Sequence, residues 1–146
     1  MDDKDAITER VFRLVNIANA SEKKPRDFGN GHVLYRAEIH TIEAIVKHPD
    51  SNASDLALRL GITNGALTQI IAKLRDKGLV EQYNFPDNRK EIYFRLTREG
   101  LMAQKGHALF HAGMNKNIGK YLDSLDPATR AEIGLFLDVL IANWPE

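Results

Sequence analysis

The chain has 146 residues, 43% of them hydrophobic, and a mean hydropathy of −0.35, which fits one globular domain with a true core and leaves no apolar run long enough to span a bilayer. Lys and Arg balance Asp and Glu at 20 each, and there is no cysteine. Structural disulfides, thiolate catalysis and thiol-based redox sensing are therefore excluded. The first ten residues, MDDKDAITER, are acidic and lack the apolar stretch of a signal peptide, so a cytoplasmic protein is expected.

Asp3 to about Ala20 reads as a helix, with Ile7, Val11, Leu14, Val15 and Ala18 spaced for one face. Ser21 to Gly31 is rich in charge, Pro and Gly and reads as a loop. A second helix is expected from Tyr35 to Lys47, with Ile39, Ile42, Ile45 and Val46 inward, ended by His48-Pro49 because the residue before proline is pushed out of the α region.

Asn52 to Gly78 then reads as two helices joined by a tight turn. The first covers about Ala53–Leu60, with Asn52 or Ser54 as its cap. Gly61 accepts the positive φ of the turn, and Thr63 caps a second helix that runs to about Lys77. Leu67, Ile70, Ile71 and Leu74 recur at helical spacing and face inward. The outward residues are Asn64, Gly65, Thr68, Gln69, Ala72 and Lys73. A merely solvated helix would be rich in Glu and Lys. Amides and hydroxyls instead suit base edges and phosphates, so the pair reads as a helix-turn-helix with Asn64–Lys77 as its recognition helix.

After Gly78 the period becomes strand-like. Leu79–Tyr83 and Ile92–Leu96 are expected to pair around a turn at Asn84–Lys90, forming a wing whose Arg89 or Lys90 meets a minor groove or a phosphate. Thr97 caps a long helix to about Asp123, punctuated by Gly100, Gly106, Gly113 and Gly119. Asp126-Pro127 starts a last helix to Trp144, expected to bury Ile133, Phe136, Leu137, Leu140, Ile141 and Trp144. From Arg59 to Arg98, eight bases face four acids, so a basic segment of net +4 sits on an otherwise acidic chain.

The ordered set of Arg36–Ile45, Asp55-Leu56-Ala57, Leu60-Gly61-Ile62-Thr63, Leu74 with Lys77-Gly78-Leu79-Val80, Asp87-Asn88-Arg89-Lys90 and Leu96-Thr97-Arg98-Glu99-Gly100 resembles the MarR family of bacterial transcriptional regulators. The resemblance implies a mainly α fold with a small β-hairpin wing (α+β), the whole of residues 1–146 forming one domain. Within it a winged helix-turn-helix lobe at 35–98 stands on a helical dimerisation body made of 1–20 and 99–146. It implies a homodimeric regulator, most often a repressor, on a palindromic operator in duplex DNA, with DNA affinity set by a small-molecule or metal effector. No resident cofactor and no catalysis are implied. Asn64, Thr68, Gln69 and Lys73 would face the major groove, and the candidate DNA-binding set is completed by Arg36, Ser54, Thr63, Gly65, Arg89 and Lys90. The family wing carries Asp-x-Arg eight residues before the Leu of Leu-Thr. Here that spacing falls on Asn88 and Lys90, whereas Asp87-Asn88-Arg89 fits only a wing one residue longer, so Arg89 and Lys90 compete for one role.

His107 and His111 are four apart on the long helix, the spacing of a helical metal clip. Glu22, His40, His107 and His111 resemble, in order and spacing, the ligand set of a zinc-sensing branch of that family, which makes zinc or another divalent metal one candidate effector. The other is an organic ligand in a crevice lined by Phe28, Tyr35, His40 and Phe110. Two alternatives stand beside the regulator: a winged helix used only for protein contacts, and a small enzyme. The first is opposed by Lys73, Arg89 and Lys90, and the second by the lack of a nucleophile elbow, a P-loop or a Gly-rich dinucleotide loop.

Overall fold

The computed structural model describes residues 2–29 and 31–144, Glu22 by its backbone alone. The order is α1 (Asp3–Glu22), β1 (Arg26–Asp27), β2 (Val33–Leu34), α2 (Arg36–Lys47), α3 (Ala53–Leu60), α4 (Asn64–Asp76), β3 (Val80–Phe85), β4 (Asn88–Leu96), α5 (Arg98–Ser124) and α6 (Pro127–Ala142). The class is the expected one, mainly helical with a small hairpin. The chain divides into two units, one up to Ala108 and one from Leu109, the break falling inside α5.

The core of the first unit lies where α2, α3, α4 and the hairpin base converge. Ile39, Ile42 and Ile45 of α2 meet Leu56 and Ala57 of α3, Leu67, Ile71 and Leu74 of α4, and Leu79, Val80 and Phe94 of the hairpin. These are the residues whose helical spacing marks an inward stripe. Val46 departs from expectation and is 41% exposed. The stripe of α2 is instead completed by Ala44, Glu38 and Thr41, whose hydroxyl donates to the Ala37 carbonyl at 2.8 Å. A buried Thr satisfied within its own turn costs little, so hydropathy alone misassigns the edge of the stripe.

The expected loop after α1 holds a short antiparallel ribbon, with Arg26 opposite Leu34 and Asp27 opposite Val33. The Asp27 carboxylate accepts from the Gly29 and Gly31 amides at 2.8 and 3.2 Å, closing the turn. This ribbon positions Phe28 against α5. A Cβ on Gly106 would run into the Phe28 carbonyl, and one on Gly100 into the Leu79 carbonyl. Both glycines are therefore sites of close backbone approach rather than bends, and α5 is one continuous helix. Thr97 starts it as expected: its Oγ1 accepts from the Gly100 amide at 3.1 Å and donates to the Gly78 carbonyl at 2.6 Å.

The terminal helices differ from expectation in burial. On α1, Val11, Val15 and Ala18 are half-buried, while Ile7 and Leu14 are exposed, as are Phe12 and Ile17. In the second unit, Asp126 caps α6 by accepting from the Thr129 amide at 2.9 Å, but no residue of α6 is buried. Ile133 and Leu140 are half-buried, and Phe136, Leu137, Ile141 and Trp144 are exposed. An apolar stripe states a demand for cover, and a single chain leaves this one unmet.

Candidate nucleic-acid interface

The helix pair is fixed at both ends of its turn. Asn52 caps α3 by accepting from the Asp55 amide at 2.9 Å, and Gly61 takes φ +68° in the left-handed region. Thr63 caps α4 by accepting from the Ala66 amide at 3.1 Å. The cap hydroxyl, Asn64 and Gly65 thus stand at the helix N-terminus, where the partial positive charge of unpaired amides favours a phosphate. Leu67, Ile71 and Leu74 are buried, and this inward anchoring leaves Asn64, Gly65, Thr68, Gln69, Ala72 and Lys73 exposed along the opposite face. Thr68 donates to the Asn64 carbonyl at 2.9 Å, which fixes its rotamer and keeps its oxygen available as an acceptor.

Between this helix pair and the wing lies a groove of about 560 Å³. Its walls include Asn52 and Ser54 of the α3 entry, Asn64 and Thr68 of α4, and Gln82 and Lys90 of the wing. Gln82 and Arg75 were not among the contact residues expected from the sequence, and Asn52 was expected only as a helix cap. Arg75 donates to the Gln82 side-chain amide oxygen at 3.4 Å, which ties the end of α4 to the hairpin. Arg36 begins α2, half-buried and outside the groove lining.

The wing is longer than expected, and its turn is shorter. The strands close at Phe85 opposite Asn88, leaving Pro86-Asp87 as a two-residue turn. Arg89 and Lys90 therefore belong to β4 rather than to the tip. The ladder also slips: Tyr83 faces Tyr93, yet Phe85 faces Asn88, so β4 spends Arg89–Ile92 opposite Asn84 alone. A bulge of this kind re-aims side chains. Here Lys90, Glu91 and Ile92 all line the groove, and Arg89 does not. Lys90 thus shares the groove with Asn64 and Thr68, while Arg89 is exposed elsewhere on the hairpin. On the other face Tyr83, Phe85 and Tyr93 touch ring to ring, Arg95 lies 5.3 Å above the Tyr83 ring, and Arg95 pairs with Glu81 at 2.7 Å. Tyr93 donates to Glu91 at 2.7 Å, and that carboxylate raises the phenol pKa.

The first unit holds two carboxylate contacts with little exposure. Glu38, 3% exposed, accepts from the Tyr35 amide at 2.8 Å and from Lys77 at 2.8 and 3.0 Å, and Lys77 also donates to the Val33 carbonyl at 3.0 Å. Lys77 is thus a tie between the end of α4 and the start of α2. The second contact is His107 Nδ1 to Glu43 at 2.7 Å, with His107 itself buried. The His40 ring lies 5.7 Å and the Phe28 ring 5.1 Å from the His107 ring. Of the sequence-derived metal set, His40 and His107 come together, with Glu43 as the carboxylate at His107. His111 belongs to the second unit, half-buried beside the Phe110 ring at 4.9 Å, and the Glu22 side chain lies outside the described residues. Among the described residues no three His, Asp or Glu side chains are grouped to hold a metal ion. Of the crevice set, Phe28 and His40 adjoin through His107, Tyr35 stands half-exposed at the α2 entry, and Phe110 lies in the second unit.

Comparison with known proteins converges on the same architecture. The model described as "MarR family" matches residues 34–92, from the end of β2 into the wing. The chain is 29% identical over 105 residues to the HTH-type transcriptional regulator PchR of Bacillus subtilis (strain 168), covering 72% of this chain and 62% of PchR. It superposes on FabT of Streptococcus pneumoniae, solved in complex with DNA, with a TM-score of 0.65 at 25% identity, covering 94% of each chain. The zinc-responsive MarR family member ZitR of Lactococcus lactis shares the fold, with a TM-score of 0.65 at 18% identity, covering 97% of this chain and 99% of that one.

Proposed function

We propose that the chain is a winged helix-turn-helix transcriptional regulator of the MarR family and not an enzyme, and that it binds duplex DNA sequence-specifically, as a homodimer on a palindromic operator, and acts as a repressor. One observation carries the DNA reading. The outer face of α4 is exposed, unacidic and rich in amide and hydroxyl groups, and it shares a groove with Lys90 of the wing. Such a surface supplies hydrogen-bonding groups for base edges and a cation for the backbone. A winged helix kept for protein contacts has no need of that combination.

The pairing of chains is supported by the uncovered apolar residues of α1 and of the helices beyond Ala108, among them Phe12, Ile17, Leu109 and Ile141. An unsatisfied stripe of this extent calls for a second copy, and residues 1–20 and 99–146 are its proposed body. A two-fold protein matches half-sites about one DNA turn apart. No helix of the described residues is long and apolar enough to cross a membrane, so that surface is not read as a span.

We further propose that control of DNA affinity acts near the buried Glu43–His107 pair, a reading supported by the Phe28 and His40 rings that adjoin it. The adjacency of two imidazoles keeps zinc in view as effector. An organic ligand against Phe28 and His40 is the other reading. The deciding experiment selects a duplex from a random pool with the purified protein, then follows its affinity by fluorescence anisotropy with zinc, manganese or a chelator added. Selection of a palindrome bears out the DNA reading, and enrichment of nothing refutes it. Unchanged affinity in all three additions, with His107→Ala behaving as wild type, removes the metal.

A further inference from the structure

We propose that Phe85 is an apolar wedge that packs against the sugar edges of the DNA minor groove flanking the site read by α4. The inference rests on the DNA-binding reading and adds a contact that neither the helix-turn-helix nor the wing cation supplies.

Phe85 closes the wing opposite Asn88, one step from the Pro86-Asp87 turn. A solvated hairpin tip needs polar residues there, yet Phe85 is 46% exposed and proline follows it. The ring is also held. Its centroid is 4.9 Å from the Tyr93 ring at 72° and 5.7 Å from the Tyr83 ring at 81°, both edge-to-face. Little side-chain freedom remains to be lost on contact, which favours binding. Asn84, just before it, donates to the Arg89 carbonyl at 3.3 Å and pins the bulged strand behind the ring.

The surroundings select the occupant. Lys90 lines the groove on the other face of the hairpin from the ring, and Arg89 is exposed on the same strand, so the end of the wing carries two cations against the single carboxylate of Asp87. Glu81 and Glu91, the other wing acids, are engaged by Arg95 and Tyr93. An exposed ring on a cationic hairpin beside a recognition helix fits nucleic acid better than an apolar protein surface. Phenylalanine is among the residues that insert into or against the minor groove.

The test uses the duplex selected by the wild-type protein, with Phe85→Ala and Phe85→Leu. Phe85→Ala is expected to weaken binding about 5-fold per half-site, the lower end of the range for loss of an aromatic contact to nucleic acid, and so about 25-fold for a dimer that presents the ring twice. It should also abolish hydroxyl-radical protection of sugars in the outer minor grooves while leaving major-groove guanine protection in place. Phe85→Leu, which keeps an apolar wedge, retains that protection. Because the lost contact is apolar, the plot of log affinity against log salt should shift in parallel, its slope unchanged. Equal affinity and protection for Phe85→Ala overturns the proposal. A slope that falls together with affinity also overturns it, since the ring would then only hold the wing cations in place. If the wild-type protein selects no duplex, the DNA-binding reading fails first and this inference with it.

Discussion

Lys90→Ala is expected to flatten the salt dependence of DNA binding, and Arg89→Ala to change it less. The bulge of β4 sets this order, because it turns Lys90 and not Arg89 into the groove shared with Asn64 and Thr68. Each phosphate neutralised by a cation releases condensed counterion and adds about 0.9 to the slope of log affinity against log salt. A dimer presents Lys90 twice, so the double loss removes about 1.8 from that slope. Across a rise from about 50 to 200 mM salt, wild-type affinity should then fall about 12-fold further than that of the variant. Anisotropy titrations of a labelled duplex at several salt concentrations measure the two slopes directly. Equal slopes for wild type and Lys90→Ala, or a larger loss for Arg89→Ala, would refute the assignment drawn from the bulge.

Other expectations follow from the same surfaces. Gln69→Ala, on the exposed face of α4, should cost about 1–3 kcal/mol of discrimination at one base pair per half-site, whereas Lys73→Ala should weaken all sequences alike; competition with mutated duplexes separates the two. Lys77→Met strands the buried Glu38 carboxylate and should lower stability by about 2–4 kcal/mol, less than for a fully buried pair because the ammonium is 30% exposed; urea unfolding reads this, and adding Glu38→Gln should recover much of it. The cap at Asp126 has a pH signature. Hydrogen bonds from Thr129 lower its carboxyl pKa below the ordinary 3.8, so the cap's contribution is complete above the ordinary value and fades as pH falls through the lowered one. Asp126→Asn keeps a cap and should remove that acid-range component from thermal melts.

Much of the reading lobe was legible in the residues themselves. Thr63, Gly61 and Asn52 declare caps and a turn by their chemistry, and Leu67, Ile71 and Leu74 declare a buried face by their spacing. The wing was legible as a hairpin but not in register. Counting back from Leu96 assumes equal strands, and β4 holds four residues, Arg89–Ile92, opposite Asn84 alone. The β1–β2 ribbon escaped notice because two-residue strands cannot display a period, and their flanks are loop-like in composition. The partner of His107 was missed for another reason. Glu43 is 64 positions away, and only the packing of α2 beside α5 brings its carboxylate to that ring. For α6, apolar spacing spoke of burial without saying which surface would provide it.

The two glycines of α5 act together as an index. Gly100 seats the Leu79 carbonyl, and Gly106 seats the Phe28 carbonyl, notches about 9 Å apart along the helix. A slide of one residue would bring Leu101 against the first carbonyl and His107 against the second, and neither side chain fits where only hydrogen does. The helix is therefore registered against the hairpin base and the β1–β2 ribbon at once, as a key is held by two wards. Ratcheting of α5 along the lobe is closed as a route for a signal within the first unit. A displacement of α5 at His107 is therefore expected to be shared with the ribbon and the hairpin base that its two notches seat.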